Sequence, residues 1–243
     1  MITVYKFGSI GDVSDASPFC VKVEAYLRLT GLPYQTLSGA QYMRKAPKGK
    51  LPYIEDNGKV IADSGFILTY LKETYGDTLD ENLNKTDKAI AHAFIKMIEE
   101  NLYWTLVHAR WKLVHNAAIL NQAFFSGIPF PLNKIITFVA RKNIIKALYN
   151  HGMGRHSDDE IVEIGNRDLQ ALSNFLGDKT YFFGDKPTTL DAVAYGMLVE
   201  MIRVPVFTAP IFDRAKSYKN LVVFTDRFHQ NYFHGSTSSP RAA

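Results

Sequence analysis

The fold of this chain is decided by two stretches, Ser17-Pro18-Phe19-Cys20 and, about thirty residues later, Lys48-Gly49-Lys50-Leu51-Pro52-Tyr53-Ile54. The first predicts the start of a helix, because serine is a favoured N-cap and proline suits the first helical position. The second puts a proline at the mouth of an apolar strand, which proline tolerates only at an edge, a first residue or a special turn. A helix N-terminus favours an anion. Together the stretches predict a site that holds a thiol or thiolate against a short strand.

Length and composition limit the classes of protein to which the chain can belong. Its 243 residues allow one or two domains, and 47% hydrophobic residues suffice for a packed core. No stretch approaches the roughly 20 apolar residues of a membrane-spanning helix, and the N-terminus resembles a strand rather than a leader, so we expect a soluble, cytoplasmic protein. A single cysteine excludes an internal disulfide. The formal charge of +4 comes from dispersed lysines and arginines, so nucleic acid is not an expected partner.

The chain changes character near residue 80. Before that point strand and helix patterns alternate as βαβ and then ββα, with a type I′ turn predicted at Asn57-Gly58 and a helix capped by Ser64. After about residue 85 only helical patterns are found. We therefore expect an α/β domain over 1–76, a linker over 77–84, an all-helical domain over 85–234 and a disordered tail over 235–243.

Two helical segments of the second half have distinct patterns. Thr188-Thr189-Leu190-Asp191 is typical of a capping box, and the apolar helix after it is expected to form the buried axis of a bundle. The segment 130–149 combines aliphatic residues with four bases and no acid. Such a segment can lie on a membrane surface, but we expect a bundle helix whose cationic face is solvated.

A helix predicted over about 87–115 carries a stripe of polar and aromatic residues at helical spacing: Asn101, Trp104, His108, Trp111 and His115. This stripe either faces a cleft between the domains or supplies core and dimer contacts, and the second interpretation is favoured. His108 and His115 lie two turns apart, roughly 10 Å along the axis, which is too far for one metal ion. No metal site is predicted.

Four motifs in register carry a family resemblance. The chain resembles the cytosolic glutathione S-transferase superfamily in Ser17-Pro18-Phe19-Cys20, Ala46-Pro47-Lys48-Gly49-Lys50-Leu51-Pro52, Asp63-Ser64 and the capping box. The resemblance implies a thioredoxin-like N-terminal domain and an all-α C-terminal helical bundle, with glutathione as the cofactor. The segments 99–104, 152–157 and 181–187 are most similar to the branch of the failed-axon-connections proteins and, more distantly, the metaxins.

The resemblance implies a role for each residue that would hold glutathione. Pro52 would be cis, and Leu51 would pair its backbone with the cysteinyl part of the ligand, as an added strand does. Ser64 and Asp63 would hold the γ-glutamyl end, although the family more often has Glu or Gln in place of Asp63. Lys50 would attract the glycyl carboxylate. The alternatives are that Pro52 only starts a strand, that Asp63-Ser64 only cap a helix, and that Lys50 is only solvated.

Ser17 takes the place of the catalytic residue, where relatives carry a nucleophilic cysteine or a serine. Its hydroxyl would donate to the glutathione thiolate, or else it only caps its helix. Cys20 is expected to be a small buried residue rather than a reactive thiol. A small hydrophobic electrophile would bind beside Ser17, with candidate contacts from these side chains: Phe19, Trp104, His108 and Trp111.

The predicted function is therefore that of a glutathione S-transferase acting as a homodimer. One alternative is a non-catalytic protein that uses the same fold as an interaction or membrane-associated module. Another keeps glutathione but changes the chemistry to that of an isomerase, a dehalogenase or a peroxidase.

Overall fold

A computed structural model describes residues 1–125, 129 and 131–233 of the chain. The first part is a four-stranded mixed sheet in the order β2-β1-β3-β4, with β1 parallel to β2 and antiparallel to β3. Its elements are β1 (Ile2–Lys6), α1 (Pro18–Thr30), β2 (Tyr34–Ser38), β3 (Tyr53–Asp56), β4 (Lys59–Ala62) and α2 (Ser64–Tyr75). The βαβ and ββα order predicted from the sequence, and with it the thioredoxin-like arrangement, is confirmed.

Local signals explain where these elements end. Asn57 and Gly58, between β3 and β4, both have positive φ, at 48° and 77°, as a type I′ turn requires. Helix α2 is capped by Asp63, whose Oδ1 accepts hydrogen bonds from the backbone N–H groups of Gly65 and Phe66. The prediction that Ser64 is the cap is therefore wrong, and Ser64 is the first residue of the helix.

The second part of the described chain is helical, apart from an isolated bridge between Tyr181 and Gly184. Its helices are α3 (Lys85–Lys96), α4 (Tyr103–Val107), α5 (Val114–Phe125), α6 (Leu132–His151), α7 (Asp158–Leu176), α8 (Thr189–Ile202), α9 (Pro210–Ser217) and α10 (Lys219–Tyr232). The capping box of α8 is present, and nearly every residue of this helix is buried. The predicted helical axis is thus confirmed.

The long helix predicted over about 87–115 is not continuous. After α3 the chain forms a π-helical segment at Met97–Leu102, then the short α4, then a second π-helical segment at His108–Lys112. Leu113 is extended, with φ −72° and ψ 121°, and ends the run. Because a π-turn contains more residues than an α-turn, side chains spaced for one α-helical stripe point in different directions.

The segment predicted as a linker, 77–84, packs against both parts of the fold. The predicted linker is attached on both sides, since Asp80 pairs with Lys72 of α2 and accepts a hydrogen bond from the N–H of Thr189 at 2.9 Å. The predicted disordered tail lies outside the described residues, as does Phe130. Among the helices of the described ranges, none is long and apolar enough to cross a membrane.

Gly196 of α8 brings the two parts of the molecule together. A Cβ at this position would lie 2.7 Å from the carbonyl oxygen of Pro18 and 3.0 Å from the N of Lys22, both in the backbone of α1. Only glycine allows α8 and α1 to approach so closely. This approach fixes the N-terminus of α1 over the helical part.

Replacing Gly196 with alanine is expected to destabilise the protein by about 1–3 kcal/mol, because the new methyl group meets backbone that cannot rotate away. Urea unfolding monitored by circular dichroism measures the change. Gly165→Ala in α7 is a matched control. Its nearest neighbour would be Cδ1 of Ile211, the end of a side chain that can change rotamer, so a smaller loss is expected. Equal losses for the two variants would contradict this interpretation.

Candidate functional site

A cavity of about 620 Å³ lies between the N-terminus of α1, the start of β3, the start of α2 and the segment from α3 to α4. A smaller cavity of about 190 Å³ adjoins it, and the two share Phe7, Ser17, Tyr103 and Ile144. The larger cavity brings together eight of the ten residues predicted for the site: Ser17, Phe19, Lys50, Leu51, Pro52, Asp63, Ser64 and Trp104.

Ser17 occupies the N-cap position of α1 without acting as a side-chain cap. Its φ of −109° and ψ of 123° are those of an N-cap, but its hydroxyl makes no capping hydrogen bond. Its backbone N–H donates to Oδ1 of Asp15 at 2.9 Å, and the other carboxyl oxygen of Asp15 accepts from the N–H of Gly8 at 2.7 Å. Burial raises the pKa of Asp15 to about 7. Asp15 therefore holds the loop, and Ser17 lines the cavity.

Cys20 lies one turn further along α1 and is fully buried. Burial raises the pKa of its thiol well above the usual range, even though the side chain of Ser17 offers that thiol a hydrogen bond. A buried, protonated thiol is a poor nucleophile. The expectation that Cys20 is a small buried residue is confirmed.

The peptide bond between Leu51 and Pro52 is cis, as the resemblance implied. The ladder between β1 and β3 ends at the pair Tyr5 and Tyr53, so the peptide groups of Leu51 lie just beyond it. Leu51 lines the cavity. An extended peptide at this edge can therefore pair with the backbone of Leu51 as an additional strand.

Charged groups of both signs line the larger cavity. Asp63 has a φ of 83°, rare for a residue other than glycine, and this conformation aims its carboxylate at the first turn of α2. Ser64 is buried beside it. Lys48 and Lys50 also line the wall, and the Nζ of Lys48 lies 4.4 Å from the ring centroid of Phe66, in the first turn of α2. The cavity can therefore bind an ammonium and carboxylates on one elongated ligand.

Arg110 and Tyr103 were missed by the sequence analysis. Arg110, buried on the wall of the smaller cavity, donates to the carbonyl oxygen of Ala16 at 2.8 Å and pairs with buried Glu200 at 2.5 Å. Tyr103 lines both cavities, and burial raises the pKa of its phenol. The sequence offered one signal for Arg110, a basic residue in a largely apolar segment. It offered no signal that Tyr103 would line the site.

His108 and Trp111 do not join Trp104 in the larger cavity, because the π-helical segments rotate them away. The Nε2 of His108 lies 3.0 Å from Oδ1 of Asp158, in a separate cavity of about 130 Å³. Burial lowers the pKa of His108. Trp111 borders this cavity and the smaller one beside Ser17. His108 therefore lies outside both cavities beside Ser17, whereas Trp111 lines the smaller of them.

Trp104 lines the larger cavity together with Ser17. Its ring stacks on His151 of α6 with centroids 4.5 Å apart, so α6 covers one side of the cavity. The last member of the predicted stripe, His115, has its Nε2 3.0 Å from the carbonyl oxygen of Thr208. Within the part of the chain that the structure describes, no three His, Cys, Asp or Glu side chains are grouped as a metal site requires.

Asn101, at the start of that stripe, donates from Nδ2 to Oδ2 of Asp168 in α7 at 2.7 Å. Burial raises the pKa of Asp168 to about 6, from 3.8 for an ordinary aspartate. Between these two pH values the folded protein holds a proton that the unfolded chain has lost. The contribution of this carboxyl to stability is therefore largest at low pH and falls as the pH rises from about 4 to 6.

Asp168→Asn is expected to abolish this pH dependence, because asparagine does not titrate and still offers an oxygen to Asn101. The free energy of unfolding of the variant, relative to the unsubstituted protein, should rise between pH 4 and pH 7. Urea midpoints at constant ionic strength measure it, with Asp178→Asn, at an exposed position, as the control. A difference that stays constant across this pH range would contradict the assignment.

Family models for the two parts of a known protein class match the chain. The glutathione S-transferase N-terminal domain model matches residues 18–117, and the C-terminal domain model matches residues 165–228. Among solved structures, a glutathione S-transferase of Ceriporiopsis subvermispora in complex with glutathione has a TM-score of 0.61 over 99% of both chains, at 21% identity.

Curated relatives support the same placement. Failed axon connections of Drosophila melanogaster is 37% identical over 83% of this chain, which spans only half of that relative's length. The isoprene-epoxide--glutathione S-transferase of Rhodococcus sp. (strain AD45) is 35% identical over 96% of this chain and 99% of its own. Metaxin-2 of Homo sapiens is 28% identical over 87% of this chain and 80% of its own. The predicted branch is confirmed.

Proposed function

Because the chain belongs to the glutathione S-transferase superfamily, we propose that it binds glutathione in the larger cavity and conjugates the glutathione thiolate to a small hydrophobic electrophile. One observation carries the proposal. The Ser17 hydroxyl stands at the N-terminus of a thirteen-residue helix, lines the cavity and makes no capping bond. A hydroxyl in that position can donate to a thiolate.

The cavity wall supports one orientation of the tripeptide. The cysteinyl backbone pairs with Leu51, the γ-glutamyl carboxylate lies at the start of α2 near Ser64, and its ammonium faces Asp63. The glycyl carboxylate then lies toward Lys50. This orientation brings the sulfur to Ser17.

The smaller cavity is the proposed site of the electrophile, and we propose a small epoxide as its class. The wall is largely apolar, as a small hydrophobic molecule requires, and the relative named for an isoprene epoxide aligns with nearly the whole chain. In the reaction the sulfur forms a bond to a ring carbon, the carbon–oxygen bond breaks, and the oxygen takes up a proton. The phenol of Tyr103, kept protonated by burial, is placed to donate a hydrogen bond to that oxygen.

Calorimetric titration with glutathione tests the proposal, and cysteinylglycine, which lacks the γ-glutamyl group, is the matched control ligand. We expect saturable binding of glutathione in the millimolar range or tighter, and weaker binding of the dipeptide. Mass spectrometry of the product of a small aliphatic epoxide then checks for the conjugate. Absence of saturable glutathione binding would overturn the proposal and favour a non-catalytic interaction module.

We also propose that the protein is a cytoplasmic homodimer. Val60 of β4 and Phe66 of α2 are 52% and 63% exposed and are apolar side chains that a second copy could cover. Light scattering across a range of protein concentrations measures the molar mass. A monomer at every concentration, or a dimer that Phe66→Asp leaves intact, would contradict this assignment.

A further inference from the structure

Helix α6 presents an exposed face on which apolar and cationic side chains follow one another. Leu132, Ile135 and Val139 are 56%, 57% and 48% exposed, and the neighbouring Phe138 is 69% exposed. At the spacing of an α-helix, Lys142 and Lys146 continue the same face toward the C-terminus, and both are exposed. We call these six residues the α6 face. The expectation that the apolar residues of this segment are buried in the bundle is wrong for its N-terminal half.

The opposite side of α6 is attached to the rest of the protein. Arg141 donates from Nε to the carbonyl oxygen of Trp111 and from Nη2 to that of Lys112, both at 2.9 Å. Ile144 lines both cavities of the candidate site, and Leu148 is buried. The helix therefore has a fixed orientation, and this orientation turns the α6 face outward.

The charge of the surrounding chain is strongly asymmetric. From Asn101 to Ser157 the sequence contains seven lysines and arginines and no aspartate or glutamate. The rest of the chain has 21 basic and 24 acidic residues, a formal charge of −3. The exposed apolar side chains of the α6 face thus lie within a wholly cationic segment of a protein that is otherwise slightly acidic.

We infer that the α6 face docks reversibly on an anionic lipid surface. Leu132, Ile135 and Phe138 would enter the interface between headgroups and acyl chains, while Lys142 and Lys146 contact anionic headgroups. Charge complementarity favours an anionic lipid surface over a second copy of the chain as the partner of the α6 face. A two-fold interface through this face would bring two cationic surfaces together with no acid from their own segment to neutralise them.

The inference is independent of glutathione binding and concerns a different surface from the proposed dimer contact. It has one consequence for the candidate site. Because Ile144 and His151 of the same helix line or stack on the cavity wall, a docked α6 face would bring that cavity close to the bilayer. A hydrophobic electrophile dissolved in the membrane would then have a short path to it.

Co-sedimentation of the full chain with vesicles of equal phosphatidylglycerol and phosphatidylcholine tests the inference. We expect binding that falls at least about tenfold on pure phosphatidylcholine and weakens steadily as salt is raised. Lys142→Glu with Lys146→Glu should weaken binding at least about tenfold, and Phe138→Asp should weaken it at every salt concentration. Circular dichroism shows whether each variant is folded.

Matched controls lie on exposed positions of α9 and α10. Val223→Asp, at a position 57% exposed, and Lys216→Glu with Lys219→Glu should leave vesicle binding unchanged. Lack of binding to the anionic vesicles at low salt would overturn the inference, as would equal losses for the control variants. If the protein does not bind the vesicles and Phe138→Asp halves its molar mass in solution, the α6 face is a self-association surface instead.

Discussion

Ser17→Ala is expected to lower kcat/KM for conjugation at least about tenfold, equivalent to about 1.4 kcal/mol of transition-state stabilisation. Lowering the pKa of a bound thiol by about 2 requires about 2.7 kcal/mol. A charge-assisted hydrogen bond supplies about 1.5–3 kcal/mol and a helix N-terminus about 0.3–1 kcal/mol. The hydroxyl of Ser17 and the first turn of α1 can together supply that amount, and the variant keeps only the second contribution.

Two readouts separate this role from a structural one. The ultraviolet absorbance of bound thiolate, followed against pH, should show a raised pKa for glutathione on Ser17→Ala, while the dissociation constant measured by calorimetry at low pH changes little. Ser9→Ala, an exposed serine of the same loop, is the control and should match the unsubstituted protein. Full activity and an unchanged thiolate titration in Ser17→Ala would show that Ser17 does not stabilise the sulfur.

Glu200→Ala is expected to cost about 3–5 kcal/mol of stability, because it leaves the guanidinium of Arg110 buried without a counter-charge. The side chain of Glu200 is 0% exposed and that of Arg110 is 4% exposed. The Cζ of Arg110 also lies 4.6 Å from the ring centroid of Phe207. Arg110 holds the carbonyl oxygen of Ala16, next to Ser17, so glutathione binding should weaken along with the unfolding midpoint.

A surface pair of similar chemistry is the control for this prediction. Glu163 and Arg167 pair at 3.0 Å with both side chains more than half exposed, so Glu163→Ala should cost well below 1 kcal/mol. Replacing Arg110 and Glu200 together by methionine should recover part of the loss, because no buried charge remains. A Glu200→Ala variant within 1 kcal/mol of the unsubstituted protein would contradict the assignment.

The parts of the fold that depend on neighbours in sequence were predictable. Helix α1 has its bounds set by Ser17-Pro18 and Gly31, and the β3–β4 turn by Asn57-Gly58, so local backbone preferences suffice. The buried axis α8 was predictable because its residues are apolar on every side. Local patterns at Ser17-Pro18 and Leu51-Pro52 indicated a thiol site, but the individual roles proposed for glutathione binding came from the family resemblance, since no local pattern distinguishes a ligand contact from a helix cap.

The parts that depend on distant contacts were not predictable. The π-helical segments after α3 are fixed by packing, such as the bond from Asn101 to Asp168, 67 residues away. The pairing of Arg110 with Glu200 joins residues 90 apart. Asp63 and Ser64 are both good caps, and only the positive φ of Asp63 decides between them. The apolar residues and bases of segment 130–149 allowed either a membrane-facing or a bundle helix, and only the packing of α6 shows that its N-terminal apolar side is exposed.

The burial of Cys20 has a consequence for the proposed conjugation of electrophiles. The chain contains a single cysteine, and α1 packs it completely away from solvent. Under the proposed function, an electrophile that enters the cleft meets the sulfur of bound glutathione and no exposed thiol of the protein itself. Such an enzyme can withstand repeated exposure to alkylating or oxidising agents without modification of its own cysteine. It then needs no reducing partner to regenerate that thiol.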